Sequence, residues 1–113
     1  MKKILFIDDQ AEILELLSEL LSAGPNVVFS ECHDFESAMK AIQKEKPDIV
    51  FTDHSLSGGG GEGLKIVETL SGSGIKVISI TSDENAGAAY ELIGVKHVNK
   101  QDTDELKKII DMV

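Results

Sequence analysis

The sequence is poor in cysteine, aromatic residues and positive charge, and each shortage excludes a class of protein. Cys32 is its single cysteine, so the chain forms no internal disulfide and offers no cysteine pair for zinc. The chain has 11 basic and 20 acidic residues, and its net charge of −9 is opposite in sign to that of a nucleic-acid-binding surface. No apolar run approaches the roughly 20 residues of a membrane span. We therefore expect a cytoplasmic protein with a buried thiol and no membrane or nucleic-acid partner for this domain.

Apolar runs and amphipathic segments alternate five times along the 113 residues. A chain of this length fits a single domain, which we place at 1–113. The apolar runs predict five short buried strands, at 3–8, 26–32, 48–53, 75–81 and 95–99.

The amphipathic segments predict helices between and after these strands. In the first, helical spacing predicts one buried stripe, made of Ile13, Leu16, Leu17, Leu20 and Leu21. In the others the inward positions are Phe35, Ala38, Met39 and Ile42, then Gly63, Ile66, Val67 and Leu70, then Ala86, Ala89, Tyr90 and Ile93, and finally Leu106, Ile109, Ile110 and Val113. Two aspartates, Asp34 and Asp102, are expected to cap the second and last helices, the latter in a capping box with Glu105.

Strands that alternate with helices on short connections predict an α/β fold, a doubly wound parallel sheet with helices on both faces. For five units a common strand order is 2-1-3-4-5, in which the chain reverses direction between the first and third strands. Ligands bind at such a point, outside the carboxyl ends of the strands. With that order, Asp8 and Asp9 after the first strand lie beside Asp53 at the end of the third.

Three carboxylates in one crevice indicate a cation site. Each close pair repels by about 4 kcal/mol at an effective dielectric constant of about 20, and an all-oxygen, water-accessible site suits Mg²⁺. The same rim carries Thr81 after the fourth strand and Lys100 after the fifth. Acids with a metal, a hydroxyl and a lysine around Asp53 form a phosphoryl-transfer constellation.

Each of these residues also has a simpler interpretation. Asp9 alone could cap a helix, Lys100 could be a solvated lysine, and Thr81 could be an ordinary β-branched strand residue. The four consecutive glycines after the third strand lack the Lys-Ser or Lys-Thr of a phosphate-binding loop, so they indicate a flexible connection. His33 and His54 have no ligand cluster around them in sequence and are expected at the surface.

The chain resembles the receiver domains of two-component response regulators. The resemblance covers essentially the whole chain and rests on five positions, Asp8, Asp9, Asp53, Thr81 and Lys100. It implies a flavodoxin-like (CheY-like) three-layer sandwich.

The resemblance also implies roles for the site residues. Asp53 would accept a phosphoryl group from a histidine kinase or a phosphotransfer protein. The two acids after the first strand would hold Mg²⁺ together with Asp53 and the backbone carbonyl of Ser55. Thr81 would donate a hydrogen bond to a phosphoryl oxygen, and Lys100 would pair with another. The domain would assist only its own phosphorylation and dephosphorylation, and would not otherwise be an enzyme.

The sequence departs from the receiver pattern at positions that bear on signal output. Ser57 and Gln101 stand where receivers usually have proline, and His97 stands where they have an aromatic residue that rotates on activation. His97 is therefore either a switch residue or a passive surface histidine. The implied output is a change in the surface of the fourth helix, fifth strand and last helix, read by a downstream protein or by phosphorylation-dependent homodimerisation.

Two other functions share this architecture. A small Mg²⁺-dependent phosphatase with an aspartyl nucleophile would carry its second acid two residues after the first, whereas Asp8 is followed directly by Asp9. A flavin-binding module would have to bind the flavin phosphate in the loop after the first strand, Asp8-Asp9-Gln10, where two aspartates place negative charge. Both are less consistent with the residues than the receiver interpretation.

Overall fold

The computed structural model describes residues 3–21, 26–53, 62–81, 88, 90, 92, 94–99 and 101–112. Within them the chain forms five strands and four helices, which alternate except between the fourth and fifth strands. These are β1 (Ile4–Asp8), α1 (Ala11–Leu21), β2 (Val27–Glu31), α2 (Phe35–Glu45), β3 (Ile49–Asp53), α3 (Glu62–Leu70), β4 (Lys76–Thr81), β5 (His97–Asn99) and α4 (Thr103–Met112).

The strands form one parallel sheet in the order β2-β1-β3-β4-β5, which confirms the predicted topology. β1 and β3 are buried along their whole length, as continuous apolar runs predict for strands covered on both faces. Ile7 is level with Thr52, so β1 and β3 end side by side at the carboxyl edge. No helix in the described part of the chain is long and apolar enough to cross a membrane.

One face of the sheet, here called the aromatic face, carries Phe6, Phe29 and Phe51. The Phe6 ring stacks between the other two, with centroid distances of 5.1 Å to Phe29 and 4.5 Å to Phe51. α1 and α4 cover this face and pack Leu17 and Leu106 against it. Apolar side chains continue across β4 to Val98 on β5, so the core on this side is unbroken from edge to edge.

The opposite face, here called the mixed face, is mainly apolar on β1 and β3; on β4, Val77 still packs against this apolar cluster, but the positions after it on β4 and those on β5 are polar. Leu5 and Val50 pack under α2 and α3. Alternation along β4 and β5 puts Ser79 and His97 on this face, at the same register position. Ser79 is fully buried, and among the described residues neither its Oγ nor His97 Nδ1 has a hydrogen-bond partner.

Both aspartates cap their helices, but the capping box predicted for Asp102 with Glu105 is only half formed, because the Asp102 backbone N–H donates to the Asn99 carbonyl at 2.9 Å and not to the Glu105 side chain. Asp34 Oδ1 accepts a hydrogen bond of 2.7 Å from the Ser37 backbone N–H, and Ser37 Oγ accepts one from the Asp34 backbone N–H. Asp102 Oδ1 accepts a bond of 3.1 Å from the Glu105 backbone N–H. The Glu105 carboxylate lies 3.2 Å from Lys96 Nζ, which ties the start of α4 to the residue before β5.

The prediction for the first helix was wrong at Leu16; the side chains of Leu20 and Leu21, which belong to the same predicted stripe, lie outside the described part of the structure. Leu16 is 50% exposed, whereas Leu14, which the predicted stripe omitted, is 6% exposed and lies in the core with Leu17. Leucines at 14, 16 and 17 satisfy two overlapping helical stripes. The spacing alone could not choose between them, and packing over the phenylalanine stack selected the stripe containing Leu14.

The other helices agree with their predicted inward positions where the structure describes them. Ala38, Ile42, Ile66, Leu70 and Leu106 are buried. Of the weaker fourth helix, positions 86, 87, 89 and 93 lie outside the described residues, but the backbone at 88, 90 and 92 is helical and Tyr90 is fully buried. Observed strands begin one or two residues later than predicted, most clearly in β5.

Candidate functional site

The carboxyl ends of β1 and β3 bring three acids together. Asp8 ends β1, Asp9 follows it, and Asp53 ends β3. One carboxylate oxygen from each lies within 4.8 Å of the others. Asp8 is fully buried and Asp53 is 7% exposed, so the cluster is set into the edge of the sheet. The predicted proximity of the three acids is therefore found.

Local hydrogen bonds fix the backbone and side chains that carry this cluster. The Gln10 backbone N–H donates to Asp8 Oδ1 at 3.0 Å, which directs that carboxylate toward the turn into α1. The Cys32 backbone N–H donates to the Asp8 carbonyl at 2.9 Å. Next to Asp53, Thr52 Oγ1 donates to the Asp53 carbonyl at 3.2 Å.

The donor set fits a hard divalent cation. Two unit charges at the 4.8 Å limit of this cluster repel by about 3 kcal/mol at an effective dielectric constant of about 20. A cation bound between the carboxylates attracts each of them and so offsets this repulsion. Three carboxylates supply only oxygen ligands, which is the preference of Mg²⁺, an ion that keeps some of its own waters and needs few protein ligands.

The other predicted site residues are only partly placed. Thr81 ends β4 and is buried; Asp53 is level with Ile80, so Thr81 stands one residue further along the neighbouring strand. His97 begins β5, two strands away from Asp53. Ser55 and Lys100 lie outside the described residues, as do Ser57 and the glycine run.

Two features near the site were not anticipated from the sequence. Ser79, two residues before Thr81, is buried beside His97. Neither Ser79 Oγ nor His97 Nδ1 has a hydrogen-bond partner among the described residues. The available signal was a serine inside the otherwise apolar run of β4. The second feature is Glu31, which is level with Asp8 on β2 and adds a carboxylate to the same edge of the sheet.

Cys32 is buried, as the sequence predicted. Burial raises the pKa of its thiol, an effect opposed by hydrogen bonding from Ser30, whose Oγ lies 3.6 Å from the sulfur. A raised pKa keeps the thiol protonated near neutrality, and a protonated thiol is a poor nucleophile. Cys32 therefore contributes to packing rather than to the chemistry of the acidic cluster.

Comparison with known proteins places this arrangement in a family. Residues 4–111 match the response regulator receiver domain. The chain belongs to the response regulator receiver domain family. It is also 30% identical over 107 residues to the sensory transduction protein LytT of Bacillus anthracis. That match covers 93% of this receiver domain but 44% of LytT, so the chain spans less than half the length of the curated relative.

Solved structures agree on the fold. A DNA-binding response regulator of the LuxR family from Staphylococcus aureus superposes with a TM-score of 0.77 at 20% identity, covering 99% of this chain and 98% of that one. The signal receiver domain of an HD domain-containing protein from Pseudomonas fluorescens gives 0.76 at 23% identity, covering 98% and 85%. A de novo designed Rossmann 2x3 protein gives 0.71 at 23% identity, covering 98% and 87%. Since a designed protein has the same fold, fold alone does not assign function.

Proposed function

We propose that this receiver domain accepts a phosphoryl group on Asp53 in a Mg²⁺-dependent reaction. The observation that carries the proposal is the meeting of three carboxylates within 4.8 Å at the ends of β1 and β3. Family membership supports it, because receiver domains generally use Mg²⁺. The phosphodonor would be a histidine kinase or a phosphotransfer protein, and the reaction would take place in the cytoplasm.

In the proposed reaction an Asp53 carboxylate oxygen attacks the phosphorus of a phosphohistidine. The new P–O bond forms as the P–N bond breaks, and the electron pair and a proton go to the donor imidazole. Asp8, Asp9 and Asp53, with the Ser55 carbonyl, would hold Mg²⁺, which offsets the negative charge of the phosphoryl oxygens when bound. Thr81 would donate a hydrogen bond to one phosphoryl oxygen, and Lys100 would pair with another. Turnover of other substrates is not part of this role.

The experiment that tests the acceptor is intact-mass analysis after incubation with acetyl phosphate and Mg²⁺. The parent protein is expected to gain the mass of one phosphoryl group and Asp53→Asn to gain none. Asp48→Asn is the matched control, because Asp48 is an exposed aspartate at the other end of β3 and should leave labelling intact. Equal labelling of Asp53→Asn would overturn the assignment, and sustained turnover of a phosphate ester would favour the phosphatase alternative.

A second experiment tests the metal independently of phosphorylation. Mg²⁺ should raise the melting temperature of the parent, because it binds the folded state and relieves the repulsion among the three acids. Asp9→Asn should melt higher than the parent without Mg²⁺ and respond much less to added Mg²⁺. A Mg²⁺ response of Asp9→Asn equal to that of the parent would contradict the site.

The proposed output surface includes β5 and α4, with His97 as the switch residue. His97 Nδ1 has no partner among the described residues, so moving the imidazole breaks no described hydrogen bond at that atom. His97→Tyr is expected to strengthen the coupling between Asp53 and this surface. Hydrogen exchange of β5 and α4, measured with and without acetyl phosphate, should change more in His97→Tyr than in the parent. Equal changes in hydrogen exchange in both proteins would show that His97 does not act as a switch residue.

Homodimerisation through this surface is the simplest output that needs no other protein. Size-exclusion chromatography with and without acetyl phosphate tests it directly. A dimer that forms in the parent and not in Asp53→Asn would support it. A monomer under both conditions would instead assign the output to a downstream protein.

A further inference from the structure

A groove runs between α1 and the edge strand β2, on the aromatic face of the sheet. Its volume is about 430 Å³, and its apolar floor is formed by Leu14 and Phe29. Ala11 and Ser18 are the small residues on the α1 side, and they leave the groove open. The Phe29 ring is held in place by its stacking on Phe6, so the floor is a fixed apolar surface.

The rim of this groove is acidic. Glu15 and Glu19, one helical turn apart on α1, line one side, and Glu31 lines the other at the end of β2. In the described part of the chain neither Glu15 nor Glu19 has a basic side chain within ion-pair distance. Glu31 has His33 Nε2 at 2.8 Å, and that contact is an ion pair only when the imidazole is protonated. The rim therefore offers negative charge to a cationic partner.

β2 also presents an unpaired strand edge beside the groove. It is the first strand in the sheet order, and no described strand lies on its outer side. Its inner bonds to β1 include Ile4 N–H to the Asn26 carbonyl and Cys32 N–H to the Asp8 carbonyl. Because such bonds alternate along a parallel strand, the N–H and C=O groups of Phe29 and Glu31 face outward.

Groove, acidic rim and free edge together select one kind of occupant. A second copy of the chain would bring a net charge of −9 against another −9. We propose that β2 binds an extended, basic segment of a partner protein by strand addition. Side chains of an added strand alternate between faces, so those at i, i+2 and i+4 enter the groove. The segment would place an apolar residue on Phe29, with lysine or arginine two residues to each side, against the three glutamates. The proposal depends on no step of the phosphoryl transfer proposed above.

The test uses the unphosphorylated full chain and the peptide carboxyfluorescein-Ser-Lys-Thr-Leu-Thr-Lys-Ser-amide, which is labelled at its N-terminus so that both lysines keep their charge. Lys, Leu and Lys occupy the three inward positions, and the other residues are small and polar. Fluorescence anisotropy should show saturable binding. The double variant Glu15→Gln/Glu19→Gln should weaken it by about tenfold, since two ion pairs are lost. The matched control is Glu36→Gln/Glu68→Gln, which removes the same charge from α2 and α3 on the mixed face. It should bind as the parent does.

A second peptide tests strand addition itself. It has the same side chains and charge, but N-methyl groups on alternate backbone nitrogens remove the donors that would bond to β2. It is expected to lose most of the affinity. Three outcomes would overturn the proposal: equal weakening in both double variants, which indicates unspecific attraction to an acidic protein; undiminished binding of the N-methylated peptide; and absence of saturable binding to the parent.

Discussion

The two faces of the sheet are built differently, although they share the same five strands. On the aromatic face all five strands contribute apolar side chains to one core, and the Phe6, Phe29 and Phe51 stack gives that core a fixed centre. The buried acids Asp8 and Asp53 lie on this face only at its carboxyl edge. On the mixed face the apolar core stops short, and Ser79 and His97 lie on β4 and β5 without described hydrogen bonds at Oγ and Nδ1. Displacing a side chain of the phenylalanine stack would cost packing energy, whereas displacing the Ser79 hydroxyl or the His97 imidazole breaks no described hydrogen bond at Oγ or Nδ1. The aromatic face is therefore the firm face, and the β4–β5 part of the mixed face, next to Thr81, is the adjustable face.

The strongest way to test the firm face is to remove a ring from its centre. Phe51→Ala deletes a fully buried side chain that stacks 4.5 Å from Phe6, and should lower the free energy of unfolding by about 3–5 kcal/mol. Urea denaturation measures it. A loss under about 1 kcal/mol would mean that the stack does not fix this face, and the contrast between the faces would fail.

A second pair of variants tests how α1 covers that face. Leu14→Ala should cost about 2–5 kcal/mol because Leu14 lies in the core, while Leu16→Ala should cost less than about 1 kcal/mol because Leu16 is half exposed. Each variant removes the same atoms from the same helix, so each is the control for the other. Equal losses of unfolding free energy in urea denaturation would mean that Leu16 is as buried as Leu14, as the sequence-based prediction had it.

The adjustable face is tested by Ser79→Ala. Removal of a buried hydroxyl that has no described partner should change the free energy of unfolding by about 0–1 kcal/mol, in the stabilising direction. Ser37→Ala is the control, since that serine is bonded in the cap of α2 and its loss should destabilise the protein. Ser79→Ala more destabilising than Ser37→Ala would show that Ser79 has a partner and that the mixed face is not loosely held.

The smallest effect concerns Asp34, which caps one of the helices over the mixed face. The pKa of its carboxyl lies below the ordinary value of 3.8, chiefly because the Ser37 backbone N–H bonds the ionised form. A lowered folded-state pKa stabilises the protein fully above the ordinary value, and this contribution disappears as pH falls through the folded pKa. Asp34→Ala should therefore melt slightly below the parent near neutral pH, and the difference should shrink in acid below 3.8.

Thermal melts of parent and variant at several pH values measure that difference. The control is Asp104→Ala, which removes an exposed carboxylate that the structure does not place in a cap. A gap between parent and Asp34→Ala that stays constant down to the acid range would mean that the cap does not depend on the ionised carboxylate.

The strand order and the meeting of the acids could be predicted because each rests on a strong local pattern. Continuous apolar runs such as Ile49 to Phe51 define buried strands, and topology then brings Asp8 and Asp53 together. Which leucines of α1 face inward could not be read from spacing, because two stripes overlap and only packing against Phe29 decides. The unpaired state of Ser79 was equally hidden, since hydrogen bonding depends on neighbours from another strand.

β1 lies inside the sheet between β2 and β3, two strands that are translated after it. During synthesis its apolar run leaves the ribosome well before β3, the neighbour that completes its pairing. At typical elongation rates of about 5–20 residues per second, that interval lasts on the order of several seconds. The apolar segment Ile4 to Ile7 therefore stays without its β3 neighbour for that interval, during which it exposes a strand edge and apolar side chains.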